Sequence, residues 1–315
     1  MRQDGAVLNT WLTDRFDLTV PIVLAPMAGA SGGALAGAVS AAGGLGMIGF
    51  AVGPPDRLES GMKLAAVSGK AFGVGFLAWL LPHDEAPLDV ALEGGAPLVS
   101  VSFGDYARYV DRIHAAGSLV ATQVGTVDDA HAAVDAGVDV IVARGGEGGG
   151  HGRDVIATLP LLQAVLDEID LPVLAAGGIA TARGLAAVLA AGAAGAWVGS
   201  AFLACDEAAN DEPARAAVVN AAMTDTIYTT VFDIGSRIPW PAGFGGRAIR
   251  TAYADTWHGR EEELRANPVR AEEPTLWAGQ AVGLVREQRP AADVVADFAG
   301  AESLLAKVST GGYRG

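Results

Sequence analysis

Cysteine is nearly absent: Cys205 is the single thiol in 315 residues. One thiol excludes an intramolecular disulfide framework and any metal site built on several cysteines. The expected role of Cys205 is that of a small buried hydrophobe. No run of about 18 or more apolar residues is free of glycine and polar breaks, so no transmembrane helix is expected. The stretch "MRQDGAVLNTWLTDRFDL" has no apolar signal region and no small-residue cleavage site, and a cytoplasmic protein is expected. Positive charge is scarce as well: 21 Lys and Arg stand against 36 Asp and Glu, a formal net charge of −15. That balance argues against nucleic acid and anionic membranes as partners, since both favour basic patches. No GxxxxGKS or GxxxxGKT cradle is present, and no GxGxxG opens a βαβ unit with an acid about 20 residues on. The five histidines form no HxH, HxxxH or His/carboxylate cluster with ligand spacing, so no metal is expected.

What is abundant is aliphatic sequence and glycine: 51% hydrophobic residues and 43 glycines, with a mean hydropathy of +0.33. High hydropathy without a membrane span fits strands buried on both faces. Eight short runs rich in Val, Ile, Leu and Ala recur, at 21–27, 44–50, 72–79, 98–104, 119–125, 138–145, 172–178 and 194–200. Their starts lie 19 to 34 residues apart, which is room for one strand, one helix and two short loops. The segments between them, such as 30–44, 126–138 and 181–195, place Ala, Val and Leu on a helical stripe. Thr126 and Thr181 read as N-caps, Gly137 and Gly192 as helix stops. Eight βα units favour a (β/α)8 TIM barrel over an open doubly wound sheet. Residues 1–205 and 278–315 form the expected barrel. The stretch 206–277, richer in Trp, Arg, Pro and Tyr, reads as an insertion after strand eight that makes a lid or side wall of the active site. Final helices are expected at 276–287 and 291–308.

Barrels keep their sites at the C-terminal strand ends. Strand one ends at Ala25-Pro26-Met27, where Pro26 stops the ladder and small neighbours let a flat ligand lie against backbone. Strand five ends at Gln123, a neutral donor and acceptor. Strand seven ends at Gly177-Gly178 and strand eight at Gly199-Ser200, each leading into a helical turn. Paired glycine loops on the last two strands are the barrel's usual phosphate site. A mononucleotide fits this layout better than a dinucleotide, and FMN is the expected cofactor.

After strand six comes "ARGGEGGGHGR" (143–153). Gly146, Gly149 and Gly150 would let its backbone pass close to a bound ring and phosphate. His151 is its one base of near-neutral reference pKa, and the glycines remove every rival side chain save Glu147. Glu147 is expected to accept backbone N–H bonds that hold the loop. His83 is a weaker candidate; His114 and His131 lie on outer helices, and His258 in the insertion. Arg144, Arg153, Arg237, Arg247 and Arg250 could form a local basic patch.

Taken together, "PIVLAPMAG", "EGGGHG", "PVLAAGGI", "GAWVGSAF" and "LWAGQAVGLV" resemble, in order and over roughly residues 18–300, the nitronate monooxygenase (2-nitropropane dioxygenase) family. The same family shape includes FMN-dependent enoyl-acyl-carrier-protein reductases and an NADH:quinone reductase branch. The resemblance implies a TIM barrel with non-covalent FMN. Ala25, Pro26 and Met27 would lie near the isoalloxazine and Gln123 would contact the flavin. Gly177, Gly178, Gly199 and Ser200 would hold the phosphate, with His151 the catalytic histidine. Gly148 stands where the commonest form has Ala, and 206–277 departs from the pattern. The implied reaction is oxidation of alkyl nitronates or nitroalkanes by O2 to a carbonyl compound and nitrite. The alternative is NAD(P)H-dependent reduction of an enoyl thioester or quinone. A phosphate-ligand binding barrel without catalysis is a third reading. The partners implied are a small-molecule substrate and O2; a homodimer is compatible with the sequence.

Overall fold

The computed structural model describes residues 8–309. Eleven strands occur among them: β1 Ile22–Leu24, β2 Gly46–Gly49, β3 Phe72–Leu77, β4 Leu98–Ser102, β5 Leu119–Val124, β6 Val140–Arg144, β7 Gly150–Gly152, β8 Val173–Ala176, β9 Gly195–Val198, β10 Thr226–Thr229 and β11 Gly245–Ile249. Eight of these pair in parallel in the order β1-β9-β8-β6-β5-β4-β3-β2. The ring closes where Leu45 meets β1: Leu45 N–H donates to Ile22 O and Leu24 N–H to Leu45 O, both at 2.9 Å. The result is a (β/α)8 barrel, and each of the eight apolar runs contains one of its strands.

Alternation along each strand splits the core into two layers. Val23, Met47, Val140, Val142, Leu174 and Trp197 fill the barrel interior. Their neighbours Ile22, Leu24, Ile141, Ala143, Ala196 and Val198 face the outer helices. Both layers are buried, which accounts for the hydropathy. The helix Trp11–Phe16 adds Leu12 and Phe16 to the interior cluster. It sits at the N-terminal end, where Leu12 packs so close to the start of β9 that a Cβ on Gly195 would meet it at 2.7 Å. That end is stoppered, leaving the C-terminal rim as the open face.

Helix boundaries follow local chemistry. Thr126 accepts from Asp129 N–H at 3.0 Å and Thr181 from Gly184 N–H at 3.4 Å, as N-caps do. Gly137 (φ +83°) and Gly192 (φ +105°) end those helices in a conformation that favours glycine. Two expectations fail. Residues 276–287 are not a helix; only the 3-10 turn Gln280–Leu284 forms. Gly279 and Gly283 lie flat against other backbone there, and a Cβ would come within 2.5 Å of Glu147 O and of Met223 N, respectively. The stretch 291–308 breaks at Gly300 into Ala291–Ala299 and Ala301–Ser309.

Residues 206–277 contain β10, β11 and four helices, Glu212–Asn220, Val231–Ser236, Ala252–Trp257 and Glu261–Ala266. Ile227, Val231, Phe232, Ala248, Ala254 and Leu264 give them a small core of their own. β10 and β11 pair antiparallel, and β11 also pairs with β7, a three-residue strand inside the glycine loop that sequence reasoning treated as irregular. Gly246 lies opposite His151 in that ladder. Among the described residues no helix is long and apolar enough to cross a membrane.

Candidate active site

A cavity of about 1250 Å³ opens on the C-terminal rim. Single-ligand pockets usually span about 300–1,000 Å³, so this one has room for a sizeable cofactor and a substrate together. Ala25, Pro26, Met27, Gln123, Gly149, Gly150, His151, Gly177, Gly178, Gly199 and Ser200 all line it. Gly146 does not. Its N–H donates to Ile156 O (2.8 Å), its carbonyl accepts from Arg247 Nε (2.8 Å), and it sits behind the loop. Gly146 therefore shapes the loop and offers no group to the cavity.

The floor is made by the chain leaving β1. A Cβ on Gly49 would come within 2.5 Å of Ala28 N, and one on Gly75 would collide with the Pro26 ring. Glycines on β2 and β3 thus let Pro26 and Met27 fold inward across the strand ends. Gln123 donates its backbone N–H to Ser102 Oγ at 3.0 Å, and its side-chain amide has no hydrogen-bond partner among the described residues. Beside β1 on the rim, past the ends of β8 and β9, the N–H groups of Gly178 and Ser200 have no acceptor among the described residues. Gly177 (φ +105°) and Gly178 (φ +72°) hold the left-handed backbone that this turn needs. Ser200 Oγ accepts from Gly279 N–H at 2.9 Å, which leaves its own proton available. Unanswered donors on adjacent strand ends suit an anion.

Two arginines hold the glycine loop, Arg144 at the cavity wall and Arg247 behind it. Arg144 is 4% exposed and has no carboxylate partner. Its Nη2 donates to Gly148 O (2.6 Å), Gly149 O (3.3 Å) and Gly150 O (2.9 Å), and its Nη1 to Arg153 O (3.0 Å). Burial pulls its pKa down to about 10, so it stays charged at neutral pH. Arg247 ties Gly146 O and Asp154 Oδ1 (3.0 Å). Glu147 accepts from Thr158 N–H with both oxygens, at 3.1 and 3.0 Å, as the sequence reading expected. The expected basic patch does not form: Arg144 and Arg247 are buried, Arg153 is bound to Asp129 (2.8 Å) and Arg250 to Asp255 (2.6 Å). Arg237 lines the cavity and its side chain has no partner among the described residues.

His151 lies on β7 with its ring in the cavity wall. Its Nε2 is 2.9 Å from Asp233 Oδ2, and the two side chains are 10% and 6% exposed. Trp240 stacks on the imidazole at 3.5 Å and 8°, and Trp277 leans against it at 4.4 Å. Sequence reasoning missed Asp233, Trp240 and Trp277. A carboxylate inside the apolar stretch "VFDI" was the available signal, but its partner is 82 residues away. His83 lines the cavity too, while His114 and His131 pair with Asp139 and Glu168 on the outer surface. Cys205 is buried, and burial pushes its thiol up to about 12, so it is no nucleophile.

A TIM barrel that gathers a buried imidazole–carboxylate pair and a large apolar cavity at its C-terminal rim has the build of an enzyme. Comparison with known proteins gives the family. The match to nitronate monooxygenase spans residues 9–87 and 82–300, and the chain belongs to that family of oxidoreductases. Among solved structures it is similar to FabK from Thermotoga maritima, with TM-score 0.83, 30% identity and coverage of 97% of this chain and 99% of that one. It is also similar to nitroalkane oxidase from Streptomyces ansochromogenes, with TM-score 0.77, 30% identity and coverage of 95% and 99%. A curated relative is a 5-hydroxy-7a-methyl-1-oxo-octahydro-1H-indene-4-carboxyl-CoA dehydrogenase of Mycobacterium tuberculosis, 33% identical over 79% of this chain and 68% of its own length.

Proposed function

We propose that this protein is an FMN-dependent nitronate monooxygenase that oxidises alkyl nitronates and nitroalkanes with O2 to a carbonyl compound and nitrite. The observation that carries the reading is His151: one largely buried, carboxylate-paired imidazole in the wall of a cavity whose neighbouring strand ends, β8 and β9, offer unanswered backbone donors among the described residues. Those residues fit a flat phosphorylated cofactor. Gly178 and Ser200 would bind the phosphate and Ala25, Pro26 and Met27 would support the ring. The Gln123 amide would meet one polar edge. A Cβ on Gly150 would enter open space, so its absence keeps the ring's place clear. The flavin supplies the electron-accepting and oxygen-reacting chemistry when bound.

The chain's own part is acid–base and electrostatic. His151 takes the α-proton of a neutral nitroalkane, and as imidazolium it faces the negative charge of the nitronate. Asp233 answers the positive charge that forms. Trp240 and Trp277 shield the pair from water, which strengthens each charge interaction. Residues 206–277, which supply Asp233, Trp240 and Trp277, would act as the side wall of this site.

A second reading is supported by the carboxyl-CoA dehydrogenase relative and by unpaired Arg237 at the mouth: NAD(P)H-dependent reduction of an enoyl thioester or quinone on the same cofactor. An absorbance spectrum of the purified protein, followed by anaerobic titration with a nitronate and separately with NADH, decides. Flavin bands that bleach with nitronate support the monooxygenase. Rapid bleaching by NADH alone supports the reductase. A colourless protein that FMN cannot reconstitute overturns both.

A further inference from the structure

The role of His151 leaves open which ring nitrogen does the work, and the hydrogen-bond geometry points to one of them. We infer that Asp233 is the positioning residue of the reaction: it holds His151 as the Nε2–H tautomer and leaves Nδ1 as the nitrogen that takes the substrate's proton. The inference rests on the function proposed above.

An ionised carboxylate only accepts hydrogen bonds. Asp233 Oδ2 lies 2.9 Å from Nε2, so against a carboxylate Nε2 is the donor. A neutral imidazole carries one N–H, hence Nδ1 is left with its lone pair. Nδ1 has no partner among the described residues, and His151 lines the cavity. The ring cannot easily turn to exchange the two nitrogens, because Trp240 lies parallel on it at 3.5 Å and Trp277 presses at 4.4 Å.

The pair is costly to keep. The Asp233 carboxylate has no other hydrogen-bond donor among the described residues, although it is nearly inaccessible to water. The neighbouring cations look elsewhere. Arg144 and Arg247 donate to loop carbonyls, and the Arg237 side chain bonds to no residue described; Tyr228 Oη donates to Gly152 O. A buried carboxylate bound only by a histidine adds little to stability. Its use is functional: it sets the tautomer, and its charge stabilises the imidazolium that exists after proton transfer. The step balances simply. The substrate's Cα–H bond breaks, its electron pair stays on the nitronate, and the proton goes to Nδ1.

The test is 15N NMR of histidine-labelled protein, recorded with and without FMN, with His151→Asn used to assign the signal among five histidines. In the wild type, Nε2 should carry the proton and Nδ1 should be unprotonated when the ring is neutral. In Asp233→Asn, which keeps shape and loses charge, this preference should be lost or reversed while Tm is held or raised. Turnover of a neutral nitroalkane should fall at least about 10²-fold, the usual worth of a positioned base. Turnover of the preformed nitronate, which needs no proton abstraction, should fall much less. A wild-type Nδ1–H tautomer overturns the inference. So does equal loss on both substrates in a variant whose Tm has dropped. A wild type inert to both substrates overturns the proposed function instead, and the NMR arms still decide the part Asp233 plays.

Discussion

Among the described residues, His151 is the only side chain that hydrogen-bonds the Asp233 carboxylate, which is 6% exposed, and that makes removal of the imidazole alone more damaging than removal of both groups. His151→Ala leaves the carboxylate buried and unpaired. It should lower stability by about 3 kcal/mol, read as a lower urea midpoint at unchanged slope. It should also cut nitroalkane turnover at least about 10²-fold. The double variant His151→Ala/Asp233→Asn should regain most of the stability and none of the turnover. Equal stability of single and double variants would show that the pair is not coupled. His151 was legible as a candidate because glycines strip its neighbourhood of other reactive side chains. Asp233 was not, since nothing local links positions 151 and 233; only the fold brings them together.

At the scale of elements, the tip of the loop between β6 and β8 is gathered by one guanidinium. Four carbonyls, of Gly148, Gly149, Gly150 and Arg153, converge on Arg144, more than any other side chain of the loop's surroundings accepts or donates. Lysine keeps the charge but places its donors at one point, without the planar fork. Arg144→Lys should therefore strand two or more buried carbonyls at about 1–3 kcal/mol each. We expect a loss of at least about 2 kcal/mol, faster amide exchange over 145–153, and displacement of His151, which the same loop carries. Unchanged exchange in the loop would refute this account. The strands and most helices were readable because their signals are local: apolar runs, threonine caps, glycine stops. The failed helix over 276–287 shows the opposite case. Its periodic aliphatics suit a helix, but Gly279 and Gly283 are required flat against Glu147 and Met223, and that packing outweighs the propensity.

For the molecule as a whole, the barrel's two rims do different work. One is closed by Leu12 and Phe16, and the other holds the cavity and the sheet of residues 206–277. If the β8 and β9 ends bind phosphate, FMN should stabilise the protein far more than riboflavin, which has the same ring and no phosphate. At about 100 times its Kd, a ligand bound only to the folded state adds about 2.7 kcal/mol. A Tm series at matched concentrations checks this. Equal shifts with FMN and riboflavin would remove the anion site from Gly178 and Ser200.

The sequence by itself determined the eightfold barrel, the end at which the cavity opens and an imidazole that lines it. Strand and helix periodicities, caps and glycine turns are encoded within a few residues of where they act. Only the tertiary structure decided how the site is finished. β7 pairs with β11 across nearly a hundred residues, Asp233 reaches Nε2, two tryptophans clamp the ring, and Gly146 turns away from the cavity. Such contacts depend on the path of the whole chain, because hydrogen bonds and ring stacking act over a few ångströms of space regardless of distance along the sequence.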